Sequence, residues 1–203
     1  MLTNSPFMKT FFGVDLSASP KKKSAYAVLY EDLTCVTGFF KHDDELVEKV
    51  EEYSPEAVGI DAPLSFPQKG YYRLCEKALR RLGIRAFSPL FEGMRSLTLR
   101  AIQLRSELEK RGYEVIEIYP GGTQDMLGLP RKNKSREKLY LGLRSIGLRF
   151  PESRDGDLLD AVTAALTVFA YKKEEYILVS SSDGCRLVLA SPSLKEALLQ
   201  IKG

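Results

Sequence analysis

An apolar run, a segment of helical period and a second apolar run follow one another in mid-chain, and this succession constrains the fold most. Ala57 to Ala62 (AVGIDA) reads as a buried strand between Pro55 and Pro63. Ser96 to Gly112 places Leu97, Leu99, Ile102, Leu104 and Leu108 at helical spacing, and Gly112 supplies a C-terminal stop. Tyr113 to Tyr119 (YEVIEIY) is a further strand, closed by Pro120-Gly121-Gly122. A helix joining two consecutive strands implies parallel pairing, because such a crossover returns the chain in the same direction. Upstream, three apolar runs, Thr10 to Ser17, Ala25 to Glu31 and Thr34 to Phe40, predict strands. The first two form a hairpin across SASPKKKS, and Asp43 to Tyr53 then carries Leu46, Val47 and Val50 as an amphipathic helix. Downstream come helices over Lys134 to Ile146 and Asp157 to Lys172, the second apolar on most of its circumference and therefore the most buried. A hairpin over Tyr176 to Ser191, with Asp183-Gly184 as a two-residue turn, and a helix over Leu194 to Ile201 close the chain.

The expected architecture is α/β, with strands and helices in one layered fold. With 203 residues, 44% of them hydrophobic, one domain over residues 1–203 is expected. Within it, residues 64–96 read as an inserted cap, rich in Pro, Gly, Tyr and Arg around one helical piece. Residues 174–203 read as a C-terminal appendage. Met8 is an alternative start that would make the first seven residues incidental. No apolar run approaches the roughly 18 residues that span a bilayer, and the start lacks a secretory pattern. A cytoplasmic protein with no membrane partner is expected. Cys35, Cys75 and Cys185 lie far apart without metal-ligand spacing, and read as buried thiols rather than a zinc site or a disulfide framework. His42 is the one histidine and sits beside Asp43, Asp44 and Glu45 at a solvated helix start, which removes Ser-His-Asp and Cys-His nucleophile systems.

Net charge is only +3, but it is unevenly spread. Glu31 to Glu56 holds nine acids against Lys41 and Lys49. Leu127 to Arg149 holds seven bases against Glu137, and Arg73 to Arg111 ten against four acids. The basic blocks either face an anionic ligand or are solvated helix faces.

Several acids stand where core elements end: Asp15 in FFGVDLS, Asp61 in AVGIDAP, Glu117 in EVIEIYP, and Asp157 and Asp160 opening the most apolar helix. Converging carboxylates repel one another and raise each other's pKa unless a cation neutralises them, which points to a divalent-metal site. Asp157 and Asp160, at i and i+3, share one face of a first helical turn. The same DGDLLD is also what a capped, acidic helix start looks like. For Glu117 the competing reading is an edge-strand or ion-paired glutamate. Without a usable histidine, water activated by a metal is the evident nucleophile at neutral pH.

The ordered motifs GVDLS, VGIDAPLSFP, RLCE, EIYPGG and DGDLLDAVTAALTVFAY resemble the predicted nucleases grouped as domain of unknown function 429, over roughly Phe11 to Lys172. The resemblance implies a ribonuclease H-like fold, similar to that of Holliday-junction resolvases: a mixed five-stranded sheet flanked by helices, with Asp15 beside Asp61 and with Asp157 and Asp160 entering from the last core helix. It implies a metal-dependent nuclease in which Asp15, Asp61, Asp157 and Asp160 hold Mg²⁺ or Mn²⁺, with Glu117 a further catalytic candidate. Arg73 and Glu76 resemble the family's R-x-x-D/E, where an arginine holds phosphate; the alternative is an intrahelical ion pair. Tyr119 shapes the floor of the site, and Arg131, Lys132 and Lys134 would supply phosphate contacts to a nucleic-acid partner. Phe66, Tyr71, Tyr72, Phe87 and Phe91 are either base-stacking surfaces or the cap's own small core. Residues 174–203 do not match the family pattern and leave open a sheet extension, a homodimer surface or a partner site. Two other functions stay open: a phosphotransferase or ATPase on the same core, against which DLSASPKKK lacks a Gly-rich phosphate turn, and a non-catalytic nucleic-acid-binding scaffold.

Overall fold

The computed structural model describes residues 8–19 and 21–201, so the first seven residues lie outside it. Seven strands and seven helices are formed along it. The strands are β1 (Thr10–Asp15), β2 (Ser24–Tyr30), β3 (Cys35–Phe40), β4 (Val58–Asp61), β5 (Val115–Ile118), β6 (Tyr176–Ser180) and β7 (Arg186–Ala190). The helices are α1 (Asp43–Tyr53), α2 (Leu74–Arg81), α3 (Met94–Lys110), α4 (Pro120–Met126), α5 (Arg136–Ser145), α6 (Gly156–Lys172) and α7 (Leu194–Ile201).

The sheet order is β3-β2-β1-β4-β5-β7-β6. β1 is antiparallel to β2 and parallel to β4, and β4 is parallel to β5, as the crossover through α3 requires. The first five strands form the expected mixed sheet. The sheet has seven strands rather than the expected five, because the C-terminal hairpin adds β7 parallel to β5 and β6 beyond it. The tail is thus a sheet extension and part of the core: Ala190, Leu194 and Leu198 join the apolar layer formed by α5 and α6.

Alternation along the strands sorts the core into two layers. Phe11 packs with α6 on one face, while Phe12, Val14, Val58 and Ile60 meet α1 and α3 on the other. α6 is buried on nearly every side, as its composition predicts.

Three readings need correction. Pro120-Gly121-Gly122 does not merely close β5 but opens α4, with proline tolerated in the first turn where its missing N–H is not needed. The hairpin turn is longer than two residues: Ser181 N–H still bonds to the Cys185 carbonyl, and Gly184 takes a positive φ of 81° between them. Cys75 and Cys185, 110 residues apart, form a disulfide that ties α2 to the end of this turn. Only Cys35 is a buried thiol; sequence spacing does not register a contact across that separation. Among the described residues, no helix is long and apolar enough to cross a membrane.

Candidate carboxylate centre and cleft

Asp15 and Asp61 are placed by the same local device. Each ends a strand as the last residue of Gly-x-Asp, and the two strands pair in register, Gly13 with Gly59 and Asp15 with Asp61. A Cβ on Gly13 would lie 2.5 Å from the Ala161 carbonyl of α6, and one on Gly59 would lie 2.5 Å from Val168 Cγ2. The glycines let α6 lie directly on β1 and β4. Two residues on, with the period-2 alternation of a strand, both aspartates point to that same face at the carboxyl ends of parallel strands. Open α/β sheets present their ligand-binding crevice there.

α6 brings the other two acids. Asp155 is its N-cap, accepting from the N–H groups of Asp157 and Leu158, so neither Asp157 nor Asp160 is needed for capping. Asp160 is buried and accepts from Gln124 Nε2 at 2.8 Å; Asp157 is exposed. The sequence reading did not single out Gln124, because the helix that carries it hides behind a Pro-Gly-Gly signal.

Lys132, expected to meet substrate phosphate, stands inside this cluster. Its Nζ lies 3.0 Å from Asp15 Oδ2, 2.9 Å from Asp157 Oδ1 and 2.8 Å from Asp160 Oδ2. Asp61 accepts no hydrogen bond among the described residues. One ammonium therefore serves three carboxylates, with the fourth, Asp61, beside Asp15 and without a donor of its own among the described residues. Burial pushes the Asp15 carboxyl up to about 7, against the pull of Lys132 and with the push of Asp160. Burial and then Asp15 raise Asp61 well above the usual carboxylate range, and burial also raises Asp160. Burial lowers the Lys132 pKa, but Asp15 and Asp160 outweigh it and hold the amine protonated.

Among the described residues, no three His, Cys, Asp or Glu side chains already form a metal cage, and the ammonium occupies the centre they surround. The donor set nonetheless fits a hard divalent cation: all its ligands are carboxylate oxygens. The occupant is Lys132, an ammonium on a flexible stem.

Glu117 is not part of this cluster. It pairs with Ile60, whose side chain faces the α3 layer, so it projects from the sheet face opposite Asp61. There it meets Arg73, which is 1% exposed while Glu117 is 4% exposed. Arg73 gives Nε to Glu76, Nη1 to Ser65 and Glu117, and Nη2 to Glu76 and Glu117, at 2.6 to 3.2 Å. All five guanidinium donors are occupied, leaving none for a phosphate. The ion-pair reading of Arg73 and Glu76 is the one the geometry bears, with Glu117 as the third member.

A cleft of about 350 Å³ opens over both groups, bounded by Asp15, Asp61 and Asp160, by Arg131 and Lys132, and by Phe87 of the cap. Tyr119 lines it, donating to the Arg85 carbonyl and accepting from Arg131 Nη1, both at 2.9 Å. Arg131 also pairs with Asp125. Lys134 is exposed, outside the cleft lining.

The model of the family described as Protein of unknown function (DUF429) matches residues 13–183, from the glycine of the first Gly-x-Asp to the hairpin turn. No curated protein matches the chain. Among solved structures, that of Thermus thermophilus RuvC aligns with a TM-score of 0.49 at 16% identity, over 81% of this chain and 96% of that one.

Proposed function

The chain belongs to the DUF429 family, and from the charge imbalance at its carboxylate centre we propose that it is a metal-dependent nuclease hydrolysing phosphodiester bonds. The observation that carries this reading is the convergence of Asp15, Asp61, Asp157 and Asp160 from two parallel strand ends and one helix start around a single ammonium. Buried acids gathered without matching cations destabilise a fold, so such a group is retained for a cation that binds there.

Asp15, Asp61, Asp157 and Asp160 would hold Mg²⁺ or Mn²⁺. Such an ion supplies Lewis acidity, polarising a phosphoryl oxygen and making water a usable nucleophile at neutral pH. Gln124 fixes the Asp160 carboxylate by engaging Oδ1, which leaves Oδ2 directed at the centre. The N-terminal end of α6 favours the negative charge of its first-turn acids. With an ion held by the aspartates, Lys132 would be released from them and could meet a phosphate oxygen of the substrate. Arg131, fixed by Asp125 and Tyr119, lends positive charge to the same wall. Arg73 acts as a positioning residue that holds Glu117 and the start of α2 beneath the cap.

The test is cleavage of labelled single-stranded and duplex DNA, RNA, a DNA–RNA hybrid and a four-way junction, with Mn²⁺ or Mg²⁺, by wild type and by folded Asp15→Asn. Cutting that disappears with chelator and in Asp15→Asn, by at least about 100-fold, is expected. Equal cutting by the two proteins, or none by either, sinks the proposal.

A further inference from the structure

The cap loop between α2 and α3 carries two phenylalanines that hydrophobic packing would be expected to turn inward. Phe87 is instead 66% exposed and Phe91 46%, their rings stacked at 5.3 Å with 26° between planes. The loop buries Ile84, which packs with Cys75 and Leu79, and, between the two phenylalanines, Ser88, 1% exposed, whose hydroxyl donates to the Tyr71 carbonyl and accepts from Leu90 N–H at 3.0 Å. Just before it, the Arg85 carbonyl is tied to Tyr119 at the end of β5. Two polar anchors thus hold the loop to the cap and to the sheet while its aromatic faces remain in solvent.

Phe87 stands on a ridge. On one side it lines the cleft with Asp15, Asp61 and Asp160. On the other it lines a second groove with Tyr72, Arg80 and Arg85. Arg80 lies 4.1 Å over the Tyr72 ring, and neither Arg80 nor Arg85 has a carboxylate partner among the described residues. The cap as a whole, residues 64–96, carries seven basic residues against Glu76 and Glu92.

We propose that Phe87 and Phe91 form a stacking platform for an unpaired nucleobase, with the adjoining strand phosphates running through the groove of Arg80 and Arg85. This rests on the nuclease reading and narrows its substrate to nucleic acid with a single-stranded segment at the cleft. An aromatic face takes any base, because every base has a π surface, and flanking arginines neutralise the backbone without reading sequence. A base inside a duplex is already stacked on its neighbours and does not offer that face. A second copy of this chain fits less well, because a two-fold contact through the ridge would set the arginines against their own copies.

The experiment is an anisotropy titration, in chelator, of a short labelled single-stranded oligonucleotide and of the duplex of the same sequence. It uses wild type, Phe87→Ala, Phe91→Ala and Arg85→Gln, each shown to be folded by circular dichroism. Wild type should bind the single strand more tightly than the duplex. Phe87→Ala should weaken the single strand about 5- to 100-fold, with duplex binding little changed. Arg85→Gln should weaken it and flatten its salt dependence. Unchanged single-strand binding in Phe87→Ala, a wild-type preference for duplex, or no binding to either overturns the platform. So does a dimer, seen by sedimentation, that Phe87→Ala dissociates. Because no cleavage is read, failure here is distinct from failure of the carboxylate centre, which its own assay decides.

Discussion

On one face of the sheet Arg73 stands between Glu76 and Glu117; on the other Lys132 stands among Asp15, Asp157 and Asp160. Both groups are acid-rich, and they line the same cleft, yet they are finished to different degrees. In the first, each carboxylate oxygen has a donor: Leu64 N–H and Arg73 serve Glu117, and Arg73 serves Glu76 through its guanidinium and its own N–H. In the second, one ammonium serves three aspartates and Asp61 has no donor among the described residues. A satisfied buried network fixes a local structure, whereas an unsatisfied one retains capacity for a ligand. The glutamate group therefore reads as scaffold for the cap, and the aspartate group as the one left with capacity for the proposed ion.

The largest test of that contrast removes Arg73. Arg73→Met strands two buried carboxylates, and urea unfolding should show a loss of about 3–5 kcal/mol. A loss under about 1 kcal/mol would mean that the network is not the scaffold described. On the opposite face the sign reverses, since Mn²⁺ should stabilise the protein, by about 2.7 kcal/mol at 100 times its dissociation constant, in a thermal melt. Asp15→Asn should abolish most of that gain, while Glu117→Gln should lower baseline stability and retain the gain. If Glu117→Gln abolishes it instead, the two groups have been assigned the wrong way round.

A smaller effect follows from pH. The Asp15 carboxyl titrates near 3.8 when free and at about 7 in the fold, so between those values the folded state binds the extra proton. The stability this provides is complete below about 4 and is lost as pH rises through about 7. Metal-free protein should therefore melt lower at pH 8 than at pH 5, and Asp15→Asn should flatten the slope. A melting temperature that rises over this range would contradict the burial of an undercompensated acid. The finest distinction concerns Lys132. If its ammonium occupies the cation position, Lys132→Gln should bind Mn²⁺ about tenfold more tightly by calorimetry, since no charge has to be displaced. Weaker binding would show that the lysine helps to build the site.

The two faces also differ in how far they could be read from the chain. Asp15 and Asp61 were legible because aspartate is rare inside apolar strand runs, and Asp157 and Asp160 because i, i+3 acids share a helical face. The glycines two residues before Asp15 and Asp61 carry a signal of their own, but that they admit α6 shows only once the helix is packed on them. Glu117 was equally visible as an acid in a strand. Its opposite orientation, however, follows only from its register against Ile60, which a single strand does not reveal. Gln124 was hidden because Pro120-Gly121-Gly122 signals a turn by local propensity, and packing against α6 and β7 overrides that signal.

By itself the sequence determined the element order apart from α4, the parallel crossover, the burial of α6 and the standing of four aspartates at element ends, because period and composition are local properties that each segment carries alone. The tertiary structure decided what meets across long separations. It seated Lys132 among the acids, enclosed Arg73 between two glutamates, joined Cys75 to Cys185, added the terminal hairpin to the sheet and left Phe87 in solvent. Those outcomes depend on register, on which face a strand residue takes and on the close approach that Gly13 and Gly59 allow, and no segment encodes them without its neighbours.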